Sequence, residues 1–217
     1  MKDKYRYIGP VYDFLSNVYS GKSIQNCKVA MFNEENLKPG DKVLVAGVGH
    51  GRDAIRAAEL GADVTVVDLS ETMLNKFRAL LAKQTKPLNV KIVHADILTF
   101  GEAASFDMVV ANFFLNVFDE DLMLKILTHL VSLTKEGGKV VVGDFTYPTG
   151  SFLRRKIQQS YWYVANFIFL VVAKNALHDI YNYPEYMTKL GLTIKDKKTF
   201  KLLSMNAYWS ILGEKAR

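Results

Sequence analysis

The chain has 217 residues and one cysteine, Cys27, which excludes a disulfide framework and a cysteine-built zinc site. This length fits one domain with a small cap and is too short for two full hydrophobic cores. The net charge of +6 divides unevenly into +2 for residues 1–40, −3 for residues 41–150 and +7 for residues 151–217. The basic last third fits an anionic membrane surface or an acidic substrate, and equally a solubilising surface that contacts nothing.

Secretory and membrane-spanning segments are not expected. The longest apolar run, Tyr161–Ala173, contains Asn166 and is shorter than the roughly 20 helical residues that cross a bilayer. The N-terminal segment MKDKYRYIGPVYDF is basic but has no apolar signal core. We therefore expect a cytoplasmic protein, and peripheral contact with a membrane stays an open alternative.

The central part of the chain alternates short β-branched runs with helical periods, which is typical of a parallel sheet covered by helices on both faces. Five strands are predicted at Lys42–Ala46, Asp63–Val67, Val90–His94, Phe106–Ala111 and Lys139–Gly143. Helices are predicted at Arg52–Leu60, from the Ser70 N-cap to about Lys83, and at Asp119–Leu133, the last one terminated by Gly137-Gly138.

Helices and two closing strands are predicted outside this core. Tyr12–Phe32 has the pattern of one or two helices before the first strand, and Ser151–Leu177 that of a mainly helical, aromatic segment. A short helix at Pro184–Leu190 is followed by candidate strands at Leu192–Lys198 and Ala207–Leu212.

A glycine-rich turn is the strongest functional signal. The segment VLVAGVGHGRDA places Gly47, Gly49 and Gly51 directly after a strand and before a helix. Glycines there permit positive φ and a close approach of the backbone to a ligand, which the free N–H groups of the helix also face. The next strand leads to Asp68, at the spacing where an acid accepts hydrogen bonds from ribose hydroxyls. The combination predicts a nucleoside site, with a tight turn that binds nothing as the alternative.

A nicotinamide site is the competing interpretation of this turn. The dinucleotide fingerprint is G-x-G-x-x-G, whereas this chain has G-x-G-x-G with Arg52 in the place of the last glycine. That glycine normally lets the helix pack closely on the strand. An NAD-dependent oxidoreductase is therefore the less favoured prediction.

These motifs resemble the class I S-adenosylmethionine-dependent methyltransferases from about Lys42 to Phe145. The matching segments are VLVAGVGHGRD, VTVVDLSETML, HADI, FDMVVANFFLNVF and LTKEGGKVVVGDF. The resemblance implies S-adenosylmethionine as the cofactor and a Rossmann-like seven-stranded sheet of order 3-2-1-4-5-7-6 with strand 7 antiparallel. One domain would comprise an N-terminal helical lid (1–40), a cofactor-binding core (41–149), a helical cap (150–190) and closing strands (191–217).

The resemblance also implies the residues that bind the cofactor. In the family, the position of Asp68 binds the ribose and that of Asp96 binds the adenine amino group. The family usually has an acid two positions before the first glycine, where this chain has Val45. Asp53 either supplies that missing charge or stabilises the start of its helix at the surface. The predicted cofactor-binding set is Ala46, Gly47, Gly49, Gly51, Asp53, Asp68, Leu69, Met73, Asp96, Ile97 and Asn112.

The acceptor is expected at the carboxyl ends of the strands, where open α/β sheets bind ligands. DNA and protein-glutamine methyltransferases carry an Asn-Pro-Pro-aromatic motif there, whereas this chain has Asn112-Phe113-Phe114-Leu115, so we expect no nucleic-acid substrate. A carbon or phenol nucleophile needs a proton removed. The candidates for this step are His50, Tyr12, Asp13 and Tyr19, and no metal-ligand cluster is apparent.

Segments outside the core resemble the ubiquinone/menaquinone C-methyltransferases and their phospholipid and sterol relatives. The similar segments are Tyr12-Asp13 with Asn17, Ser20 and Gly21, then Asp144-Phe145 with Pro148, then Tyr183-Pro184 before Gly191. This implies a hydrophobic small-molecule acceptor, namely a quinone precursor, a phospholipid or another lipid.

Two alternatives remain open at this stage, and the oligomeric state is not predicted. The basic run Arg154, Arg155 and Lys156 before Tyr161–Ala173 favours a lipid-facing cap, with a buried helix over the sheet as the other interpretation. Because of Val45, a cofactor-binding protein of this fold without methyltransferase activity is the second functional hypothesis.

Overall fold

A computed structural model describes residues 22–101, 103–153, 155–160, 163, 178–202 and 205–217. Its seven strands are Lys42–Ala46 (β1), Asp63–Asp68 (β2), Val90–His94 (β3), Phe106–Asn112 (β4), Thr134–Phe145 (β5), Leu192–Leu202 (β6) and Met205–Lys215 (β7). They form one sheet of order β3-β2-β1-β4-β5-β7-β6. The first five strands pair in parallel, and β7 runs antiparallel between β5 and β6. The predicted topology is confirmed.

Helices cover both faces of this sheet. They comprise residues 22–29 (α1), Arg52–Glu59 (α2), Glu71–Leu81 (α3), Glu120–Leu133 (α4), residues 152–153 and 155–160 (α5), and Tyr183–Lys189 (α6), with short 3-10 turns at Ile97–Thr99 and Leu115–Val117. The Ser70 hydroxyl caps α3 by accepting from the Met73 N–H, as predicted, and Asp119 caps α4 by accepting from the Leu122 N–H. Within the described part of the chain, no helix is long and apolar enough to cross a bilayer.

Two apolar cores follow from the alternation of side chains along the strands. On one face, α2 and α3 pack on the sheet through residues such as Ala54, Leu74 and Phe77. On the other face, α4 and α6 pack through residues such as Ile126 and Met187. A helix-covered parallel sheet buries both of its faces, which is why the central strands β1 and β4 are almost entirely buried.

The predicted last residue of α4, Leu133, agrees with the structure, but the prediction that Gly137-Gly138 terminates the helix is wrong. α4 ends at Leu133 and β5 starts at Thr134, so Gly137 and Gly138 lie inside the strand and do not terminate the helix. Thr134 Oγ1 donates to the Leu130 carbonyl at 3.0 Å, and Thr134 pairs with Phe106 of β4. Pairing with a neighbouring strand therefore ends this helix earlier than the glycines indicate.

The predicted helices before the first strand can be compared with the structure only from residue 22 onward. The described helix, α1, ends at residue 29, three residues before the predicted boundary at Phe32. It places Cys27 over the carboxyl end of β5 and the amino-terminal half of β7, where the thiol donates to the Trp209 carbonyl at 3.1 Å. Burial raises the pKa of this thiol, so Cys27 acts as an apolar packing residue.

Part of the basic excess of the last third lies on β6, the edge strand. Lys195 and Lys197 project into solvent, and Lys195 pairs with Glu214 at 3.6 Å. Lys198 donates to the Ala30 carbonyl at 3.1 Å. Exposed lysines on an edge strand discourage pairing with another chain, so these charges fit the solubilising interpretation.

Candidate active site

The glycine-rich turn leaves β1 with three left-handed glycines. The φ angles are 75° at Gly47, 48° at Gly49 and 68° at Gly51. A Cβ at Gly51 would overlap the ring of Phe77, so this glycine serves the packing of α3 against the turn. Among the described residues, only Lys28 Nζ lies within 4 Å of a Cβ built at Gly49. Gly49 is therefore the glycine of this turn with the most room beside it.

Asp68 lies where the sequence predicts it, at the end of β2 beside the glycine turn. Its Oδ2 accepts a hydrogen bond from the Val48 N–H at 2.8 Å, and its Oδ1 accepts one from the Ser70 N–H at 2.8 Å. The carboxylate therefore joins the turn after β1 to the start of α3. It holds the shape of the turn in addition to its predicted contact with the ribose.

The other predicted cofactor residues lie along the same edge of the sheet. Asp96 follows β3, and its Oδ1 accepts from the Leu98 N–H at 3.0 Å. Leu69 is half-buried, and its carbonyl oxygen lies 2.9 Å from the His94 ring nitrogen. The side chains of three further predicted residues are buried in the apolar cores, namely Ala46, Met73 and Ile97. Contact of any of these residues with the cofactor stays a prediction.

Asp53 lies in the first turn of α2, as predicted, but the interpretation that it is a surface acid is wrong. Asp53 is 1% exposed, and the Asn112 amide Nδ2 donates to its Oδ2 at 3.0 Å. The same amide donates to the Lys28 carbonyl at 3.0 Å, so α2, β4 and α1 meet at this point. The sequence of α2 alone could not predict this burial, because α1 and β4 are the elements that cover the first turn of α2.

Asn112 presents its other polar atom to the interior. Because both partners of Nδ2 are acceptors, the amide orientation is fixed and Oδ1 points over Gly143, where a Cβ would overlap it. Oδ1 is buried and makes no hydrogen bond within the described residues. Val45 pairs with Val110, and strand alternation puts Asn112 on the same face of the sheet as Val45. The carboxylate of Asp53, which accepts from Asn112, therefore lies on the face of the sheet where the family usually has an acid at the position of Val45.

An aromatic wall lies at the ends of β4, β5 and β7. The ring of Phe113 packs edge-on against Phe145 at 5.9 Å and Tyr208 at 5.7 Å between centroids. Lys28 Nζ lies 5.7 Å from the centre of the Phe113 ring. Phe113 has φ 52°, which is unusual for a bulky residue and costs roughly 1–3 kcal/mol, so the packing of its ring holds a strained backbone. The ring of Phe114 packs against the glycine turn instead, where a Cβ at Gly47 would overlap it.

Asp144 is a buried acid that the sequence did not identify as a candidate functional residue. It is 1% exposed, its Oδ2 accepts from the Tyr183 hydroxyl at 2.8 Å, and its Oδ1 accepts from the Phe145 N–H at 2.8 Å. Burial raises its pKa to about 7, and these hydrogen bonds and the charge on Lys28 limit the rise. An acid directly after the apolar run VVVG was the available signal.

The predicted proton acceptors are described only in part. His50 is half-buried within the glycine turn, between Gly49 and Gly51. Tyr12, Asp13 and Tyr19 lie outside the described residues. In the described ranges, no group of three or more His, Cys, Asp or Glu side chains is placed to hold a metal ion. Which group removes the proton stays a prediction.

Comparisons with known proteins find methyltransferases. A family model described as a methyltransferase domain matches residues 43–138. The demethylmenaquinone methyltransferase of Clavibacter sepedonicus is 30% identical over 171 residues, which cover 78% of this chain and 67% of that protein. The demethylmenaquinone methyltransferase of Renibacterium salmoninarum is 30% identical over 144 residues, or 65% of this chain and 57% of that protein. The chain thus spans less than two thirds of the Renibacterium relative.

A solved structure shares the fold. The 1,6-didemethyltoxoflavin-N1-methyltransferase of Burkholderia thailandensis, with bound 1,6-didemethyltoxoflavin and S-adenosylhomocysteine, superposes with a TM-score of 0.67 at 19% identity. The match covers all of this chain and 92% of that one. These relatives and the strand order favour the methyltransferase prediction over the nicotinamide alternative. The chain belongs to the class I methyltransferases, whose cofactor is S-adenosylmethionine.

Proposed function

We propose that this protein transfers a methyl group from S-adenosylmethionine to a hydrophobic small molecule, with an aromatic quinone precursor as the first candidate. The observation that carries the proposal is the aromatic wall of Phe113, Phe145 and Tyr208 at the carboxyl edge of the sheet, beside the glycine turn. Phe113 is the partly exposed ring of this wall, and the buried rings of Phe145 and Tyr208 support it edge-on. A partly exposed aromatic ring favours an apolar, ring-containing ligand. Two relatives named demethylmenaquinone methyltransferases support the same class.

The residues around the turn fit S-adenosylmethionine. At Gly49 only the flexible end of Lys28, among the described residues, lies within 4 Å of an added Cβ. Asp68 ends β2 and Asp96 follows the adjacent β3, as acceptors for the ribose and the adenine amino group. The Asn112 Oδ1 is a buried acceptor without a hydrogen bond in the described residues. When bound, S-adenosylmethionine supplies a methyl group that its sulfonium already activates.

Asp53 compensates for the acid missing at Val45 in this proposal. Its carboxylate is buried on the same face as Val45 and is oriented by the Asn112 amide at 3.0 Å. A buried carboxylate favours positive charge nearby because the interior screens weakly. Asp53 would therefore favour the positively charged methionine end, and Asn112 acts as a positioning residue.

The remaining chemistry is alignment and proton removal. Transfer forms a bond from the acceptor atom to the methyl carbon and breaks the carbon–sulfur bond, whose electron pair leaves with sulfur. A carbon or phenol acceptor also gives up one proton to a base. The aromatic wall would exclude water and orient the ring, and His50 is the described candidate for the base.

We infer that the outer surface of α5 rests on an anionic membrane from which a lipid-like acceptor is taken. Phe152 and Leu153 are each 69% exposed and Ile157 is 50% exposed, which is unusual for large apolar side chains on one short segment. Lys156 and Arg155 are exposed beside them. Apolar residues that enter the interface, flanked by basic residues that meet headgroups, are typical of peripheral membrane binding.

Sedimentation with vesicles tests this membrane contact. We expect binding to phosphatidylglycerol-containing vesicles that salt weakens, and loss of binding in the variant Phe152→Ser/Leu153→Ser. Tyr147→Ser is a matched control, because Tyr147 is also exposed at 40% but lies outside the helix. Equal sedimentation of all three proteins, or none by the wild type, contradicts the membrane contact. The predicted lipid-facing segment Tyr161–Ala173 lies largely outside the described residues.

Incubation with a labelled methyl donor tests the function itself. The purified protein would be given methyl-labelled S-adenosylmethionine with reduced demethylmenaquinone, with phospholipid vesicles and with a total lipid extract, followed by mass analysis. We expect label in an aromatic, lipid-soluble product. Saturable donor binding without any labelled product would favour the second hypothesis, a cofactor-binding protein without activity.

A further inference from the structure

The first helix, α1, is fixed over the carboxyl edge of the sheet, beside the glycine turn. Near its start, Ser23 Oγ donates to the Lys201 carbonyl of β6 at 2.8 Å. One turn further, the Gln25 side chain accepts a hydrogen bond from Arg52, the first residue of α2. With the thiol bond to β7 described above, these contacts tie α1 to three elements. The side chains on its inner face therefore have defined positions.

Lys28 directs its ammonium to the glycine turn. Its Nζ lies 3.2 Å from a Cβ built at Gly49 and 5.7 Å from the centre of the Phe113 ring. The second distance is near the limit of about 6 Å for a cation–π contact, so the ring alone does not hold the ammonium. Lys28 is half-buried, and no ion pair among the described residues includes it. The turn thus has a positive charge beside it that no described carboxylate contacts.

A single amide fixes this cation relative to the buried acid of α2. Asn112 Nδ2 donates to the Lys28 carbonyl and to Asp53 Oδ2, both at 3.0 Å. The backbone of Lys28 and the carboxylate of Asp53 are therefore held by the same nitrogen atom. A cation and an anion fixed together beside one turn are complementary to a zwitterion, whose two charged groups leave the same carbon atom.

The methyl donor carries such a zwitterion. S-adenosylmethionine has a positive sulfonium, and its amino-acid end has an ammonium and a carboxylate, which is the anionic group of the molecule. The cofactor residues predicted from the sequence include acids for its hydroxyl and amino groups but no lysine or arginine. The carboxylate of the donor therefore has no charged partner in that set.

We propose that the Lys28 ammonium binds the carboxylate at the amino-acid end of S-adenosylmethionine. Glycine at position 49 keeps the space beside the ammonium open, because a Cβ there would already crowd it. Half-burial strengthens such a pair relative to one at the surface, since the surroundings screen charge less. The assignment of the positive end to Asp53 rests on the proposed function, whereas the contact of Lys28 with the carboxylate does not depend on the acceptor.

Removing the ammonium from the protein and the carboxylate from the ligand tests this contact. S-adenosylhomocysteine and its decarboxylated analogue would be titrated by calorimetry into the wild type, Lys28→Met and Lys28→Arg. We expect the wild type to bind S-adenosylhomocysteine roughly 10- to 100-fold more tightly than the analogue. Lys28→Met should lose most of that preference, and Lys28→Arg should keep most of it because arginine retains the charge.

Two features of the chain make the comparison specific. Methionine keeps the apolar stem of Lys28, and the Asn112 bond goes to a backbone carbonyl that the substitution retains. Lys22→Met is the matched control, because Lys22 is exposed at the other end of α1 and its loss removes the same charge from the same helix. We expect this control to keep the wild-type preference.

The ratio of the two affinities separates the contact from general damage to α1. A preference that persists in Lys28→Met, equal weakening of both ligands in that variant, or equal binding of both by the wild type would overturn the assignment. Failure of both ligands to bind the wild type would overturn it together with the cofactor site. If the ratios behave as expected but no acceptor is labelled in the methyl-donor assay, Lys28 stands as a carboxylate-binding residue and the proposed methyl transfer fails.

Discussion

The buried carboxyl of Asp144 makes the stability of the folded chain fall as the pH rises. Burial raises its pKa from 3.8 to about 7, opposed by the Phe145 N–H, the Tyr183 hydroxyl and the charge on Lys28. Between these two pKa values the folded chain keeps a proton that the unfolded chain has released. The contribution to stability is therefore fully present below about pH 4 and is lost as the pH rises through 7.

The size of the loss follows from the shift in the pKa of Asp144. With pKa values of 3.8 unfolded and about 7 folded, the free energy of unfolding should fall by about 3 kcal/mol between pH 5 and pH 8. Urea denaturation at intervals across this range measures it. Asp144→Asn is the reference variant, because its carbonyl accepts from the Phe145 N–H and its amide donates to the Tyr183 hydroxyl. Subtracting its profile removes the contributions of other titrating groups.

The reasoning on Asp144 is refuted if the wild type and Asp144→Asn lose stability in parallel between pH 5 and pH 8. A second variant checks the sign independently. Tyr183→Phe removes a hydrogen bond to the carboxylate, so it should raise the pKa of Asp144 further and extend the loss of stability above pH 7. A shift of the loss to lower pH would contradict this assignment of the partner.

Two further predictions concern the glycine turn and its acid. Gly51→Ala should cost about 1–3 kcal/mol of unfolding free energy beyond Gly40→Ala in urea denaturation, because both glycines have positive φ but only a Cβ at Gly51 overlaps Phe77. Equal losses would argue against this packing role. Asp53→Asn keeps an acceptor for the Asn112 amide but removes the charge, so calorimetry should show roughly 10-fold weaker binding of S-adenosylmethionine. Unchanged affinity would mean that Asp53 acts only in folding.

Most element boundaries could be predicted because local patterns determine them, whereas the order of the sheet was implied by the family resemblance. β1 and β3 have the predicted ends, and the glycine turn lies where the motif places it. The junction at Thr134 could not be predicted, because pairing with Phe106 decides it and that contact is distant in sequence. The distribution of charge along the sequence likewise could not predict that the lysines of β6 lie on the edge strand of the sheet.

The candidate site was predictable where spacing alone brings groups together. Asp68 and the glycine turn meet because parallel strands end at one edge. The Asp53–Asn112 pair was not predictable, because α1 and β4 bury an acid that its own helix would leave exposed.

Calorimetric titration with S-adenosylhomocysteine tests the central claim most directly, since it asks whether the Gly47–Gly51 turn and Asp68 bind the nucleoside of the methyl donor. We expect saturable binding at one site in the wild type and roughly 10- to 100-fold weaker binding in Asp68→Ala, which loses the acceptor for the ribose hydroxyls. Absence of saturable binding of either S-adenosylhomocysteine or S-adenosylmethionine, or unchanged affinity in Asp68→Ala, would contradict the account.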